Sequence, residues 1–325
     1  MKPWLKTGWA LLLSGLGSLA WALNVPGPVV DASWLAQHLA EVHVLDVRPQ
    51  QKSFTQNPEF ETDKKTGKKF LVELGGHIEG AVPVDNKTVR VTRVIDGLKL
   101  NGMLPEQADF QKLVRGWGVQ ADRPIVIVSA GMEPIDFNEA ARLYWQFKVY
   151  GEDNIAVLNG GMAAWIAQGR PVSTAAHPPT PGNWQARADR SADYLATSQD
   201  VLKAQAEQRA LIDARDTPSF LGLSKASSVS RHGHLVGARN VPTTLMSTAD
   251  GDAARLHTPQ TYRDIFRMSG VDAQAPAIAY CNTGHQAAGV WFVLHEVLGN
   301  RQALLYDGSL HQWAQEQRPL EAVAR

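Results

Sequence analysis

The chain lacks cysteine almost entirely: Cys281 is the only one in 325 residues, which excludes an intramolecular disulfide framework. It lacks an excess of either charge, since 32 Lys+Arg balance 32 Asp+Glu with no long run of one sign. That balance gives no support to nucleic-acid binding or to docking on an anionic membrane. Past the amino terminus there is no apolar run long enough to cross a bilayer. No Cys/His group has metal-ligand spacing, so neither a metal nor another cofactor is expected. The one dense charge cluster, Asp63 to Lys69, reads as a solvated loop tip.

What is present at the amino terminus reads as an address. Lys2 and Lys6 flank the start of an apolar stretch from Thr7 to Trp21, and Ala20-Trp21-Ala22 has the small-x-small form of a cleavage site. Residues 1–22 are therefore read as an export signal, with a periplasmic or secreted mature chain from Leu23 and no stable membrane insertion after cleavage. A lone thiol in an oxidising compartment is either used or paired between molecules.

Cys281 follows the apolar run Ala277-Ile278-Ala279-Tyr280, and Asn282-Thr283-Gly284-His285-Gln286 lead on to the apolar, helix-like stretch Ala288–Gly299. A thiol between a strand end and a helix start faces unpaired backbone N–H groups and a positive dipole end, which favour a nucleophilic thiolate. The same residue also suits a small hydrophobe packed in a core.

Four blocks of the chain occur twice, in the same order. Val44-Leu45-Asp46-Val47-Arg48 returns as Leu211-Ile212-Asp213-Ala214-Arg215, and Gly76-His77-Ile78-Glu79-Gly80-Ala81 as Gly233-His234-Leu235-Val236-Gly237-Ala238. Pro124–Ser129 returns as Pro276–Cys281, and Leu158–Trp165 as Tyr306–Trp313. This is a duplicated domain. Unalternating apolar runs of four or five residues fit strands buried on both faces, so each copy is expected to be α/β, with a mainly parallel sheet flanked by helices. The expected division is a first domain over residues 23–172, a Pro-rich linker over 173–189, and a second domain over 190–325. Strand ends that lead into helices are where ligands sit in such folds. Cys281 holds that position, and its counterpart is Ser129, whose loop is longer: Trp145 lies 16 residues after Ser129, and Trp291 lies 10 after Cys281. Chemistry is therefore expected in the second copy, with the first as wall, partner surface or support.

Taken together, the Asp-x-Arg, Gly-His-x-x-Gly-Ala and Gly-Gly-x-x-x-Trp elements resemble the tandem rhodanese-like sulfurtransferases, the family of thiosulfate and 3-mercaptopyruvate sulfurtransferases, from about Val29 to Trp313. The resemblance implies that Cys281 takes a sulfane sulfur from a small donor as a persulfide and passes it to a thiol, cyanide or protein acceptor. It also implies that Asn282, Thr283, Gly284, His285 and Gln286 form the loop whose amides cradle that sulfur. The chemistry is consistent, because backbone donors hold an anionic persulfide without a counter-ion and Gly284 permits a tight turn.

The sequence departs from the family in two places. Its loop carries neither the basic side chains of thiosulfate-specific members nor a Gly-Ser-Gly-Val pattern. The arginine that members carry four residues beyond the Asp-x-Arg arginine is Ser219 here. Candidates to supply the missing charge to a substrate are His285 and Arg231. Asp213 and Arg215 are read as a structural pair, as are His77 and His234, because a copy without a thiol repeats the histidine. A cysteine phosphatase of related fold would need an arginine at position 287, which is Ala. The remaining alternative is a non-enzymatic persulfide carrier or redox-sensing partner.

Overall fold

The computed structural model describes residues 23–176 and 178–324; the expected export signal lies outside the described residues. The first half builds a five-stranded sheet from β1 (Val29–Val30), β2 (His43–Val47), β3 (Val82–Val84), β4 (Ile125–Val128) and β5 (Ile155–Leu158), in the order β1-β5-β4-β2-β3. The second builds another from β6 (Leu195–Ala196), β7 (Ala210–Asp213), β8 (Arg239–Asn240), β9 (Ala277–Tyr280) and β10 (Ala303–Tyr306), in the order β6-β10-β9-β7-β8. Both orders are the same permutation, and all pairings are parallel. The expected α/β class holds in each copy.

Strand pleating decides which way the site faces. Successive side chains alternate between faces of a sheet. In β4, Ile125 and Ile127 enter a core shared by the two halves, while Val126 and Val128 enter an outer core with Trp165. In β9, Ala277 and Ala279 join the shared core, while Ile278 and Tyr280 pack outward with Trp313. By the same alternation Cys281 points inward, toward the first domain. Two helices close that inner layer, α1 (Phe137–Val149) and α3 (His285–Phe292), while α2 (Gly161–Ala167) packs in the outer core of the first half. Phe292 meets Phe137 edge-on at 5.2 Å and Tyr144 at 4.8 Å, and pairs of this kind add about 0.5–1.5 kcal/mol each beyond area burial. Past Phe292 the helix widens into a π turn over Val293–Val297, and His295 lies against the Trp291 ring at 4.8 Å.

The repeated motifs outside the thiol do structural work in both copies. Arg48 pairs with Asp46 and donates to the carbonyl of Gly76, and Arg215 pairs with Asp213 and donates to the carbonyl of Gly233. His77 stacks on Phe54 and its Nδ1 bonds the Phe54 carbonyl, and His234 does the same with Phe220. The indoles of Trp165 and Trp313 donate to the carbonyls of Pro171 and Pro319. These pairs tie strand ends to loops and carry no chemistry. The Pro-rich segment is pinned to the first domain, since Gly182, Asn183 and Trp184 donate backbone bonds to Arg115 and Val119 and the Trp184 indole bonds Glu152. No helix among the described residues is long and apolar enough to cross a membrane.

Each half also sends a hairpin across the boundary. Val91–Met103 of the first half reaches the Cys281 loop, and Ser247–Leu256 of the second reaches the Ser129 loop. Leu104 donates its amide to Asp307, and Leu256 donates its amide to Asn159, the residue that matches Asp307 in the repeat.

Candidate active site

Cys281 directly follows β9, with 1% of its surface exposed. Its loop is held from below by α4 (Ser309–Gln315). One oxygen does much of this work: Ser309 Oγ accepts from the amides of Cys281 (3.1 Å) and Gly284 (3.0 Å) and donates to the Tyr306 carbonyl (2.7 Å). The amides of Leu310 and His311 hold the carbonyls of Cys281 and Asn282. Loop carbonyls are thus turned toward α4. No backbone carbonyl accepts from the amides of Asn282 or Thr283, and the first-turn amides of α3 have no intrahelical acceptor. This leaves donors at the thiol end of the loop for an anion.

Gly284 is required by the geometry. It has φ +73°, and a Cβ there would lie 2.7 Å from both Asp307 O and Asp307 Oδ1. Its carbonyl accepts from Arg142 Nη1 at 3.2 Å. Arg142, on α1, also pairs with Asp307 at 2.6 Å, donates to the Gly102 carbonyl and lies over the Trp145 ring. Both members of that ion pair are 1% exposed, so each needs the other. Gly102 (φ +81°) of the crossing hairpin sits against Thr283, where a Cβ would come within 3.2 Å of the Thr283 Cβ.

His285 faces the first domain, with its side chain 18% exposed and its Nε2 3.2 Å from Glu139 Oε1. Burial pushes its pKa below the ordinary histidine value despite Glu139. Burial would raise Glu139, but hydrogen bonds from His285 and Asn86 and the charge of Arg90 bring it below the usual carboxylate range. Burial thus works against a positive charge on His285, whose Nε2 faces the Glu139 carboxylate. Its Nδ1 and the Asn282 Oδ1 are buried without hydrogen-bond partners. Gln286 is partly exposed at the first turn of α3. Arg231 is not brought to this group: it is exposed and donates to the carbonyl of Arg318, beyond the far end of α4.

Four side chains that sequence reasoning did not select therefore belong to the neighbourhood: Arg90, Glu139 and Arg142 from the first domain, and Asp307 from the second. Arg90 is partly buried, and its Nε has no hydrogen-bond partner. Burial and the like charge of Arg142 lower its pKa, while Glu139, Cys281 and Asp307 pull it back. The signal for Asp307 and Ser309 was in the repeat, where they replace Asn159 and Gly161. Nothing local marks the first-domain residues.

Comparison with known proteins places this arrangement in a family. The rhodanese-like domain matches residues 31–168 and again 197–316. The thiosulfate sulfurtransferase of Cricetulus griseus is 30% identical over 226 residues, 69% of this chain and 73% of that protein. That of Bos taurus is 30% identical over 214 residues, 65% of this chain and 69% of its own. Among solved structures, the 3-mercaptopyruvate sulfurtransferase SseA from Escherichia coli superposes with a TM-score of 0.69 at 26% identity, covering 87% of this chain and 98% of that one. These relatives do not favour the non-enzymatic carrier considered above. With two matched domains and a cysteine at the second strand end, the chain belongs to the rhodanese-like family of sulfurtransferases.

Proposed function

We propose that Cys281 is the sulfur-carrying nucleophile and that its small-molecule donor is of the thiosulfate or 3-mercaptopyruvate class. The thiolate attacks the outer sulfur of thiosulfate. The donor S–S bond breaks, and sulfite leaves with the electron pair. A nucleophilic acceptor such as cyanide or a thiolate then attacks the outer sulfur of the persulfide, and the Cys281 thiolate leaves. With 3-mercaptopyruvate a C–S bond breaks instead, and the enolate left behind takes a proton to become pyruvate. Splitting the transfer in this way replaces one difficult step with two easier ones.

The observation that carries this reading is the loop after β9, whose carbonyls are held by α4 while amides at its thiol end lack carbonyl partners. An anionic outer sulfur fits such a set of donors. On this reading Asn282, Thr283, Gly284, His285 and Gln286 are the cradle. The small polar side chains there leave the amides to do the binding. The export signal read in residues 1–22 would place the reaction in the periplasm or outside the cell.

Intact mass after incubation with each donor, together with cyanide-dependent thiocyanate release, tests the assignment. The expected result is a single gain of about 32 Da (one sulfur, as covalent catalysis requires) that Cys281→Ser abolishes along with turnover. Sulfur loading from a persulfidated protein alone, without turnover of either small donor, would instead mark a carrier. No gain from any donor would sink both readings.

A further inference from the structure

The thiol loop carries no cation of its own, and Ser219 spends its hydroxyl on Asp216, so neither position gives an anionic donor a charge to bind. Two of the guanidiniums near the loop are already engaged. Arg215 is tied to Asp213 and the Gly233 carbonyl, and Arg142 to Asp307 and the carbonyls of Gly284 and Gly102. Arg142 Nε and Arg215 Nη1 are buried without a hydrogen-bond partner, but each of those guanidiniums is held by a carboxylate. Arg90 differs, because its Nε is buried without a partner and no carboxylate lies within ion-pair distance among the described residues. Of the two carboxylates that act on it, Asp307 is bonded by Arg142 and Glu139 by His285 and Asn86. A sealed charged donor left unsatisfied is costly and calls for an explanation.

The chain path puts Arg90 in place. It follows Val89, which packs in the same apolar core as Cys281, and it precedes the hairpin whose Gly102 rests on Thr283. α1, which runs beside it, supplies Glu139 to His285, four residues after the thiol. We propose that Arg90, contributed by the first domain, is the residue that recognises the anionic group of the sulfur donor at Cys281. This rests on the sulfur-transfer reading but adds a specificity determinant from the opposite half of the chain. A planar fork of N–H donors suits an S–O or carboxylate oxygen pair, and an incoming anion would satisfy the orphaned Nε.

The test compares full-length mature Arg90→Met and Arg90→Lys with the wild type. Thiosulfate KM should rise about 10- to 100-fold in Arg90→Met with kcat within about twofold, and Arg90→Lys should recover part of the loss. The second arm needs no sulfur transfer: alkylation of Cys281 by iodoacetate, an anion, against iodoacetamide, which is neutral. Arg90→Met should lower the iodoacetate rate about tenfold and leave the iodoacetamide rate unchanged. Unchanged KM and unchanged alkylation ratio would overturn the assignment. Equal slowing by both alkylating agents would also overturn it, because Arg90 would then act on the thiol or the fold. If the wild type fails to turn over any donor, the sulfur-transfer reading falls, and the alkylation ratio still decides the role of Arg90 in anion recognition.

Discussion

The Ser129 loop and the Cys281 loop start from equivalent strands of two matching sheets, and they dispose of their backbone amides in opposite ways. In the first copy, Asp136 Oδ2 accepts from the amides of Met132 and Glu133, both at 2.9 Å. The amide of Ala254 from the crossing hairpin takes the Gly131 carbonyl. The chain's own carboxylate thus fills the loop as a built-in anion, and α1 begins only at Phe137. In the second copy α3 begins at His285, four residues after the thiol, and no carboxylate stands in the loop. On the proposed reading, an open donor set is what separates the reactive strand end from the supporting one. The space also differs: a cavity of about 720 Å³ opens beside Gln51, Met132 and Glu133 in the first copy, while Cys281 is 1% exposed and the hairpin of the first domain rests on Thr283 of its loop.

The sharpest way to break this comparison is to move the thiol. A Ser129→Cys, Cys281→Ser double variant should fold, because Ser129 and Cys281 are both small and buried, yet lose thiocyanate release by at least about 1,000-fold. Recovery of more than a few per cent of wild-type turnover would show that loop geometry is not what distinguishes the copies.

The next effect is on stability. Asp307 and Asn159 occupy matched positions, but only Asp307 meets a buried guanidinium. Three residues before the matched tryptophans stand Arg142 in one helix and Ala288 in the other. Asp307→Asn should therefore cost about 3–5 kcal/mol in chemical denaturation, because Arg142 is left buried without its counter-charge. A neutral result for Asp307→Asn would mean that water replaces the lost partner.

Gly284→Ala comes third. Its positive φ and the 2.7 Å approach to Asp307 should cost about 1–3 kcal/mol and lower turnover along with stability. Gly67, a positive-φ glycine with open space around it, is the control whose Ala variant keeps full turnover.

A fourth prediction concerns acid. His43 in the first copy is pushed by burial down to about 4, and its Nε2 accepts from the Gln120 amide. His285 in the second is also held below its ordinary 6.5, chiefly by burial. A depressed native pKa means that the unfolded chain binds the proton first. Both histidines therefore contribute stability that is present above about pH 6.5 and is lost as the pH falls below it. His43→Gln and His285→Gln should each flatten the fall in melting temperature between about pH 6.5 and 5, and only the second should also change turnover. An unaltered slope in both would place the acid sensitivity elsewhere.

How far the sequence reveals all this depends on the kind of signal. The buried strands and the parallel α/β class were legible because Val126–Val128 and Ala277–Tyr280 are short apolar runs whose repetition marks them as equivalent. The structural roles of His77 and His234 followed from their presence in both copies. Arg90, Glu139 and Arg142 were not legible, because each belongs to one fold unit and acts on the Cys281 loop of the other. One sequence carries no local pattern for such a contact. The buried ion pair of Arg142 reads along the helix as an ordinary polar position.

The smallest expected effect falls on Arg231, a cation two residues before the Gly-His block of the second copy. It is exposed, and its guanidinium holds the Arg318 carbonyl, beside the carboxyl end of α4. The Cys281 loop is held at the opposite, amino-terminal end of that helix, by Ser309, Leu310 and His311. An exposed charge facing that way is screened by water and salt. Arg231→Ala should therefore move thiosulfate KM less than about twofold and leave the iodoacetate-to-iodoacetamide ratio unchanged. A shift comparable to that of Arg90→Met would mean that the donor enters past α4 rather than along the domain boundary. Recognition would then lie within the second copy alone.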